Sequence, residues 1–375
     1  MRIGVPKEIK DQEYRVGMTP GSVRELTNRG HAILVQQNAG TEIGFSDEAY
    51  RTAGAKIVDS ADEIFALADM IVKVKEPQPQ ECKKLKEGQL LFTYLHLAPD
   101  PAQAELLLAS GCVAIAYETV TDEHGGLPLL TPMSEIAGRL SIQAGAHCLE
   151  KTQGGHGILL GGVAGVACAN VVVLGGGVVG TQALRVAVGM GAEVVVLDKS
   201  LKRLRELEFL FDGKVTTAYA NAEALEAHLK TADLVIGAVL VPGAAAPKLV
   251  SRSLLSLMRP GTVIVDVSID QGGCFETSRA TTHAKPVFIE EGIVHYCVAN
   301  MPAGVPRTST IALNNATLPY IVTLAEKGYR TACLESSYLL RGLNICTGQI
   351  THPAVATALS KPYTPAETAL GASLH

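Results

Sequence analysis

Residues 169 to 198 run through a β-branched strand, a glycine turn, an apolar helix, a second β-branched strand and a closing acid, as ANVVVLGGGVVG, TQALRVAVGMGA and EVVVLD. A strand that ends in G-x-G-x-x-G and feeds a helix is the first half of a parallel βαβ unit. Gly175 then serves a tight turn, Gly177 lets the backbone approach a pyrophosphate, and Gly180 lets the helix lie close to the strand. The N-terminus of that helix offers unpaired N–H groups to an anion. Asp198 stands about 20 residues further on, where a carboxylate accepts hydrogen bonds from an adenosine ribose and repels a 2′-phosphate. In a chain with 37 glycines the motif alone is weak, and a structural turn is its ordinary reading. Its place between two strands, with the acid behind it, turns the reading to a dinucleotide site that prefers NAD to NADP.

At 375 residues the chain exceeds the size at which single cores stop growing, so two domains are expected, and a hydrophobic content of 47% can fill both. A net charge of −5 gives no footprint for nucleic acid or for an anionic membrane, which leaves small-molecule chemistry. Cys82, Cys112, Cys148, Cys168, Cys274, Cys297, Cys333 and Cys346 are widely spaced without a C-x-x-C, and read as reduced core residues of a cytoplasmic protein. The opening MRIGVPKEIK has no apolar signal core. Gly157 to Leu184 is free of charge and long enough to cross a bilayer, but it contains eight glycines, and the triplet Gly175 to Gly177 suits a turn rather than a spanning helix.

The expected fold class is α/β, with two Rossmann-like, doubly wound parallel-sheet domains and a cleft between them. Residues 1–130 would form the first part of a substrate domain, with strands at Arg2 to Val5, His31 to Gln36, Met70 to Val74, Leu90 to Leu95 and Val113 to Tyr117. Thr19 before Pro20 resembles a helix cap, and a helix from Thr131 would lead into a dinucleotide domain over 131–304. Six strands are expected there, beginning at Asn170, Glu193, Val215, Leu234, Thr262 and Ile293. Residues 305–375 would return to the first domain as helices, through Thr310 to Lys327 and Arg330 to Leu343, followed by a loosely held tail.

Open parallel sheets bind ligands beyond the carboxyl ends of their strands, so reactive groups are sought there. Lys75 ends DMIVKVK, His96 ends LLFTYLH, Asp270 follows TVIVDVSI, and Arg15 lies between the first strand and its helix. A guanidinium and an ammonium suit a small carboxylate. A histidine suits proton transfer at a carbonyl or carbinolamine oxygen. Each has a plainer reading: Arg15 as a solvated charge, Lys75 as an edge charge among other lysines, His96 as a hydrogen-bonded core histidine, and Asp270 as a turn former beside Gly272 and Gly273. No H-E-x-x-H, paired cysteines or regular histidine spacing points to a metal. The basic residues Lys199, Lys202, Arg203 and Arg205 are interleaved with acids and read as a solvated helix face.

Taken together, MRIGVPKEIKDQEYRVGMTP, KVKEP, YLHLA, VLGGGVVG, SIDQGGCFETS and NMPAGVPRTST resemble the alanine dehydrogenase/transhydrogenase family, and within it the bacterial-type L-alanine dehydrogenases, over nearly the whole chain. The resemblance implies NAD-dependent, reversible oxidative deamination of L-alanine to pyruvate and ammonium, commonly by a homohexamer. By resemblance Arg15 and Lys75 would hold the substrate carboxylate, His96 would be the acid/base, and Asp270 would assist at the amine and the nicotinamide side. Ser134, Asp198, Val239, Leu240, Val267 and Asn300 would contact NAD, with Arg203 a weaker candidate. Departures from the family pattern fall at Ala245, where lysine is common, at Val267, where isoleucine is common, and at Ala303-Gly304, whose order is reversed. The alternatives are a saccharopine dehydrogenase, which would need extra basic groups for a larger dicarboxylic substrate, a transhydrogenase-like subunit, which would need a membrane partner, and an NAD-binding protein without turnover.

Overall fold

Short runs rich in Ile, Val and Leu, buried on both faces, become the strands of the first sheet. They are β1 (Arg2–Val5), β2 (Ala32–Gln36), β3 (Lys56–Val58), β4 (Met70–Val72), β5 (Leu90–Thr93) and β6 (Val113–Ala116). The computed structural model describes residues 1–239 and 246–371. After the helix Thr131–Cys148 come β7 (Asn170–Leu174), β8 (Glu193–Asp198), β9 (Thr216–Tyr219), β10 (Leu234–Gly237), β11 (Val263–Asp266), β12 (Val287–Glu290) and β13 (Ile293–Tyr296). The chain then passes through the helix Pro306–Glu335 to β14 (Leu343–Cys346) and β15 (Gln349–Ile350).

Two compact units result, one of Met1–Pro132 with Val305–His375 and one of Met133–Gly304. In the first, the strand order is β15-β14-β6-β5-β4-β1-β2-β3. The chain winds outward from β1 through β2 to β3, then returns to lay β4 on the other side of β1, with every pair from β3 to β6 parallel. In the second, the order is β12-β13-β11-β10-β7-β8-β9, and the same reversal falls between β7 and β10. Each reversal opens a crevice beyond the carboxyl ends of two neighbouring strands.

The α/β class and the parallel winding agree with the sequence reading, and four strands go beyond it. β12 and β14 pair antiparallel at the sheet edges, β15 pairs antiparallel with β14, and β3 is only three residues long. The second sheet therefore has seven strands rather than six. The expected helices Thr310 to Lys327 and Arg330 to Leu343 are separated, as read, by a break at Gly328 (φ 72°), but the second is a correction at its end: it stops at Glu335, a short helix follows at Ser337–Leu340, and Leu343–Cys346 is a buried strand. A four-residue apolar run has no period by which to tell it from a helix segment. The charge-free stretch divides into a turn with a Val163/Val166 bridge, β7 and the helix Val178–Gly189. No helix among the described residues is long and apolar enough to cross a membrane.

The returning helix is tied to the first loop by one buried amide. Asn314 Oδ1 accepts from the Thr19 N–H at 2.8 Å, from Thr19 Oγ1 at 2.9 Å and from Ser22 Oγ at 2.5 Å, while Thr19 caps the helix Pro20–Asn28. Replacing Asn314 with Ala strands buried donors, each costing about 1–3 kcal/mol. Asn314→Ala is therefore expected to lower the urea midpoint of the first unit by a margin equivalent to about 2–3 kcal/mol. An unchanged midpoint would show that the two segments are held without this amide.

Candidate active site

Beyond the carboxyl ends of β1 and β4, Glu8 joins the two strand exits. Its Oε1 accepts from the Val74 N–H at 2.7 Å and from Lys75 N–H at 3.4 Å, and its Oε2 accepts from Lys73 Nζ at 3.0 Å. Lys73 donates to Glu81 as well, at 2.9 Å, and all three side chains are buried. Burial pushes the Glu8 carboxyl above its usual value against the pull of Lys73. Burial lowers the Lys73 ammonium, but Glu8 and Glu81 outweigh it and hold the pKa above the ordinary value. This buried cluster fixes the backbone from which Lys75 projects. Lys75 is 8% exposed, with Nζ 3.3 Å from Glu76 Oε2. Burial raises the Glu76 carboxyl, yet Lys75 and a hydrogen bond from Lys10 bring it down to about 2.

Arg15 is 2% exposed and forks onto Glu13, with Nε donating to Oε1 at 2.7 Å and Nη2 to Oε2 at 2.6 Å. Desolvation works against the guanidinium, and Glu13 more than restores its pKa. The plane of the fork is thus set before any ligand arrives. Tyr94 lies in the electrostatic reach of Arg15, donates to the Leu129 carbonyl at 2.5 Å and stacks its ring on that of His96 (centroids 5.8 Å apart, planes 7° apart). His96 has a left-handed backbone (φ 49°), held by its own N–H donating to Glu118 Oε1 at 2.6 Å and by the Leu95 N–H donating to the same carboxylate. The imidazole is 44% exposed, with Nδ1 3.9 Å from Glu118 Oε1. The Thr93 hydroxyl donates to the Lys75 carbonyl and the Tyr94 N–H to that of Val74, so the segments bearing Lys75 and His96 are laced together. Arg15, Lys75 and His96 therefore gather at one end of the first sheet.

In the second unit the three motif glycines have three different tasks. Gly175 has φ 99°, and a Cβ there would lie 2.8 Å from the Ala238 carbonyl oxygen. A Cβ on Gly180 would lie 1.9 Å from the Gly175 oxygen, and one on Gly177 would meet nothing within 4 Å. Gly177 is also the N-cap of the helix Val178–Gly189. The open space at Gly177, in front of a helix N-terminus, fits a pyrophosphate. Asp198, at the end of β8, accepts from the Gly176 N–H on Oδ2 and the Ser200 N–H on Oδ1, both at 2.8 Å. Each oxygen has two lone pairs, so ribose hydroxyls can add to these bonds. Arg203 donates to the Gly176 carbonyl at 2.7 Å, to Thr181 Oγ1 at 2.6 Å and to Glu206 at 2.8 Å, which makes it a brace of the turn.

At the reversal in the same sheet, Ser268 Oγ donates to the Val239 carbonyl at 2.7 Å and accepts from its N–H at 3.1 Å. Val267 and Asp270 lie in the 3-10 turn Val267–Gln271, where Asp270 is exposed and accepts from the Asn300 N–H at 3.2 Å. Asn300 has φ 57°, and Ser134 is half-buried in the first turn of the helix Thr131–Cys148. Leu240 and Ala245 lie outside the described residues.

Family models for the alanine dehydrogenase/PNT N-terminal and C-terminal domains match residues 4–137 and 141–353. The chain belongs to the alanine dehydrogenase/PNT family. It is 55% identical over 371 residues to the alanine dehydrogenase of Halomonas elongata, covering 99% of this chain and 100% of that protein. It is 53% identical over 364 residues to that of Mycobacterium tuberculosis, covering 97% and 98%. A solved L-alanine dehydrogenase superposes with a TM-score of 0.93 at 52% identity, over 96% of this chain and 99% of that one. A transhydrogenase from Sinorhizobium meliloti, at 23% identity and a TM-score of 0.81 over 94% and 100%, shares the fold. The family and the fold imply a nicotinamide cofactor and small-molecule substrates.

Several groups at these sites carry no signature in the sequence. Glu8 and Glu118 accept main-chain N–H groups 22 to 67 residues away in the chain, a separation that no local motif records. Glu13 and Tyr94 were within reach, because each lies two residues before a predicted site residue.

The glycines separate binding from folding. Gly180→Ala is expected to cost about 1–3 kcal/mol through a backbone clash that the helix must absorb. Gly177→Ala should cost no more than about 1 kcal/mol at a cap position. It should nonetheless weaken a reduced nicotinamide dinucleotide at least about tenfold, because its methyl occupies the approach to the helix N-terminus. Thermal unfolding and a fluorescence titration of each variant make the comparison. Parental affinity in Gly177→Ala would remove this turn as the pyrophosphate cradle.

Proposed function

We propose that the chain catalyses the reversible oxidative deamination of L-alanine with NAD, giving pyruvate, ammonium and NADH. The observation that carries the reading is the grouping of a pre-oriented Arg15, a nearly buried Lys75 and an exposed His96 at the reversal of the first sheet. Arg15 and Lys75 hold the substrate carboxylate, the fork fixing its plane and the ammonium adding a point charge. Bound NAD supplies the hydride acceptor. Once the alanine ammonium has given a proton to solvent, loss of hydride from Cα leaves an iminium whose positive nitrogen Asp270 stabilises. His96 takes a proton from the water that adds to the iminium carbon, returns it to the nitrogen of the carbinolamine, and takes the hydroxyl proton as the carbonyl forms and ammonia departs to be protonated in solvent. In the aminating direction each proton moves the opposite way.

Gly175, Gly177 and Gly180 would cradle the dinucleotide, Asp198 would meet its ribose, and Ser134, Val239, Val267 and Asn300 would contact the rest of it; the resemblance adds Leu240, which lies outside the described residues. The carboxylate of Asp198 opposes a 2′-phosphate, so NAD is preferred to NADP. Residues 1–130 and 305–375 then serve the substrate, and residues 131–304 the cofactor. The eight unpaired cysteines, seven of them buried, fit a reducing cytoplasm, and the resemblance favours a homohexamer.

The deciding assay follows NADH oxidation with pyruvate plus ammonium, and again with 2-oxoglutarate plus lysine and with NADPH in place of NADH. Turnover is expected in the first mixture alone. Arg15→Lys keeps a charge opposite Glu13 and loses the fork, so KM for pyruvate should rise about 10- to 100-fold with dinucleotide affinity unchanged. An unaltered pyruvate response would remove the carboxylate clamp. His96→Asn should lower kcat by about 10²- to 10⁴-fold with the fold intact. Near-normal turnover across the pH range would rule out the proton-transfer role.

A further inference from the structure

β11 ends in an acid that is fully buried, and the donors that reach it are neutral. Asp266 Oδ1 accepts from the Ser268 N–H at 3.1 Å, and Cys274 Sγ approaches it at 3.7 Å. Its Oδ2 accepts from the Cys274 N–H at 2.9 Å, from the Phe275 N–H at 3.5 Å and from Ser278 Oγ at 2.6 Å. The two oxygens thus grip the two ends of one loop, Ser268 at its start and Cys274 to Ser278 at its finish. Between them lies the turn that carries Asp270. The backbone can wrap this closely because Gly273 has no side chain: a Cβ there would stand 2.5 Å from Oδ2. A second tether runs outward from the same place, since Ser268 binds both main-chain groups of Val239 at the exit of β10.

A buried carboxylate is costly unless hydrogen bonds replace its water. Burial pushes Asp266 above the usual carboxyl value, and the bonds from Ser278, Cys274, Phe275 and Ser268 hold it back. Core packing alone does not call for an acid at this position, because an apolar side chain would fill it without that cost. What an acid adds is acceptor capacity on both oxygens at once. An amide of the same size would turn an N–H₂ toward one end of the loop and leave the backbone N–H groups there without an acceptor.

We propose that Asp266 is a positioning residue for the reaction, its carboxylate clasping both ends of the loop Val267–Ser278 and so fixing Asp270 and, through Ser268, the Val239 backbone. The inference rests on the reading of Asp270 as a group that acts on the substrate nitrogen. Asp266 itself touches neither substrate nor cofactor in this scheme.

The test is a double-mutant cycle on the full-length chain, joined to hydrogen exchange without ligand. Asp266→Asn is expected to lower kcat by about 10²-fold, the penalty of misplacing a reacting group by about an ångström, with KM for pyruvate kept within about threefold. In an Asp270→Asn background the same substitution should cost no more than about threefold, because the group it positions is already disabled. Equal losses in both backgrounds would overturn the proposal and leave Asp266 a general structural residue. Hydrogen exchange reads the loop directly: the Ser268, Cys274 and Phe275 amides should lose protection in Asp266→Asn, while Val173 in β7 and Val196 in β8 keep theirs. Unchanged loop protection would also overturn it. Ser278→Ala, which removes one donor and keeps the carboxylate, should reproduce the selective loop loss at smaller amplitude if Asp266→Asn fails to fold, and normal protection there would refute the clasp. Should Asp270→Asn retain parental kcat, the reading of Asp270 fails separately, and exchange alone decides whether Asp266 holds the loop.

Discussion

A parallel strand that ends leaves main-chain N–H groups pointing into the crevice where a ligand binds, and those groups must be satisfied without filling the crevice. This protein meets the demand with carboxylates. Glu8 takes the amides of Val74 and Lys75, Glu118 those of Leu95 and His96, Asp198 those of Gly176 and Ser200, and Asp266 those of Ser268, Cys274 and Phe275. An ionised acceptor makes stronger bonds than a neutral one. One acid also serves two or three amides, so the loop it gathers moves as a unit. The loops bearing Lys75, His96, the glycine turn and Asp270 are anchored this way, while Val239 is held by the Ser268 hydroxyl.

The buried cluster of Lys73, Glu8 and Glu81 shows what such anchoring costs. Replacing a buried ion set with apolar residues is often neutral or stabilising, because desolvation consumes much of the attraction. The cluster is better understood as a device for geometry. Glu8 reaches from the exit of β1 to the exit of β4, and with Lys73 between Glu8 and Glu81 the register of those exits has one low-energy arrangement. Tyr117 adds a third strand to the arrangement, its hydroxyl donating to the Lys73 carbonyl at 3.0 Å.

How far this could be seen in the sequence depends on whether a feature leaves a local trace. The glycine turn does, because each of its three positions excludes a side chain for its own steric reason and the flanking strands are long and β-branched. The strand-end rule likewise led to Arg15, Lys75 and His96, which the first unit brings together. β3, β12, β14 and β15 are two to four residues long and leave no usable period. Three of these four are antiparallel edge pairings, fixed by partners far away in the chain. The anchoring acids leave less still: Glu8 stands 66 residues from Val74, and the turn that brings them together is decided by the sheet reversal, which no local window contains.

The site groups of the first unit divide by exposure, and the division matches the role proposed for each. Arg15 and Lys75 are nearly buried and already paired with Glu13 and Glu76, so a carboxylate that joins them meets charges whose orientation has been settled during folding. Preorganised charge in a region of low dielectric needs little rearrangement when a ligand arrives. A group that must gain and lose a proton in every cycle has the opposite requirement. His96 is the exposed member, its ring free of a close bond to Glu118 while its backbone is locked in a left-handed conformation by that same acid. Such a conformation is uncommon for a residue with a side chain and persists only where the surroundings impose it. Glu118 therefore fixes where the imidazole stands through the backbone, without holding the ring in a close bond.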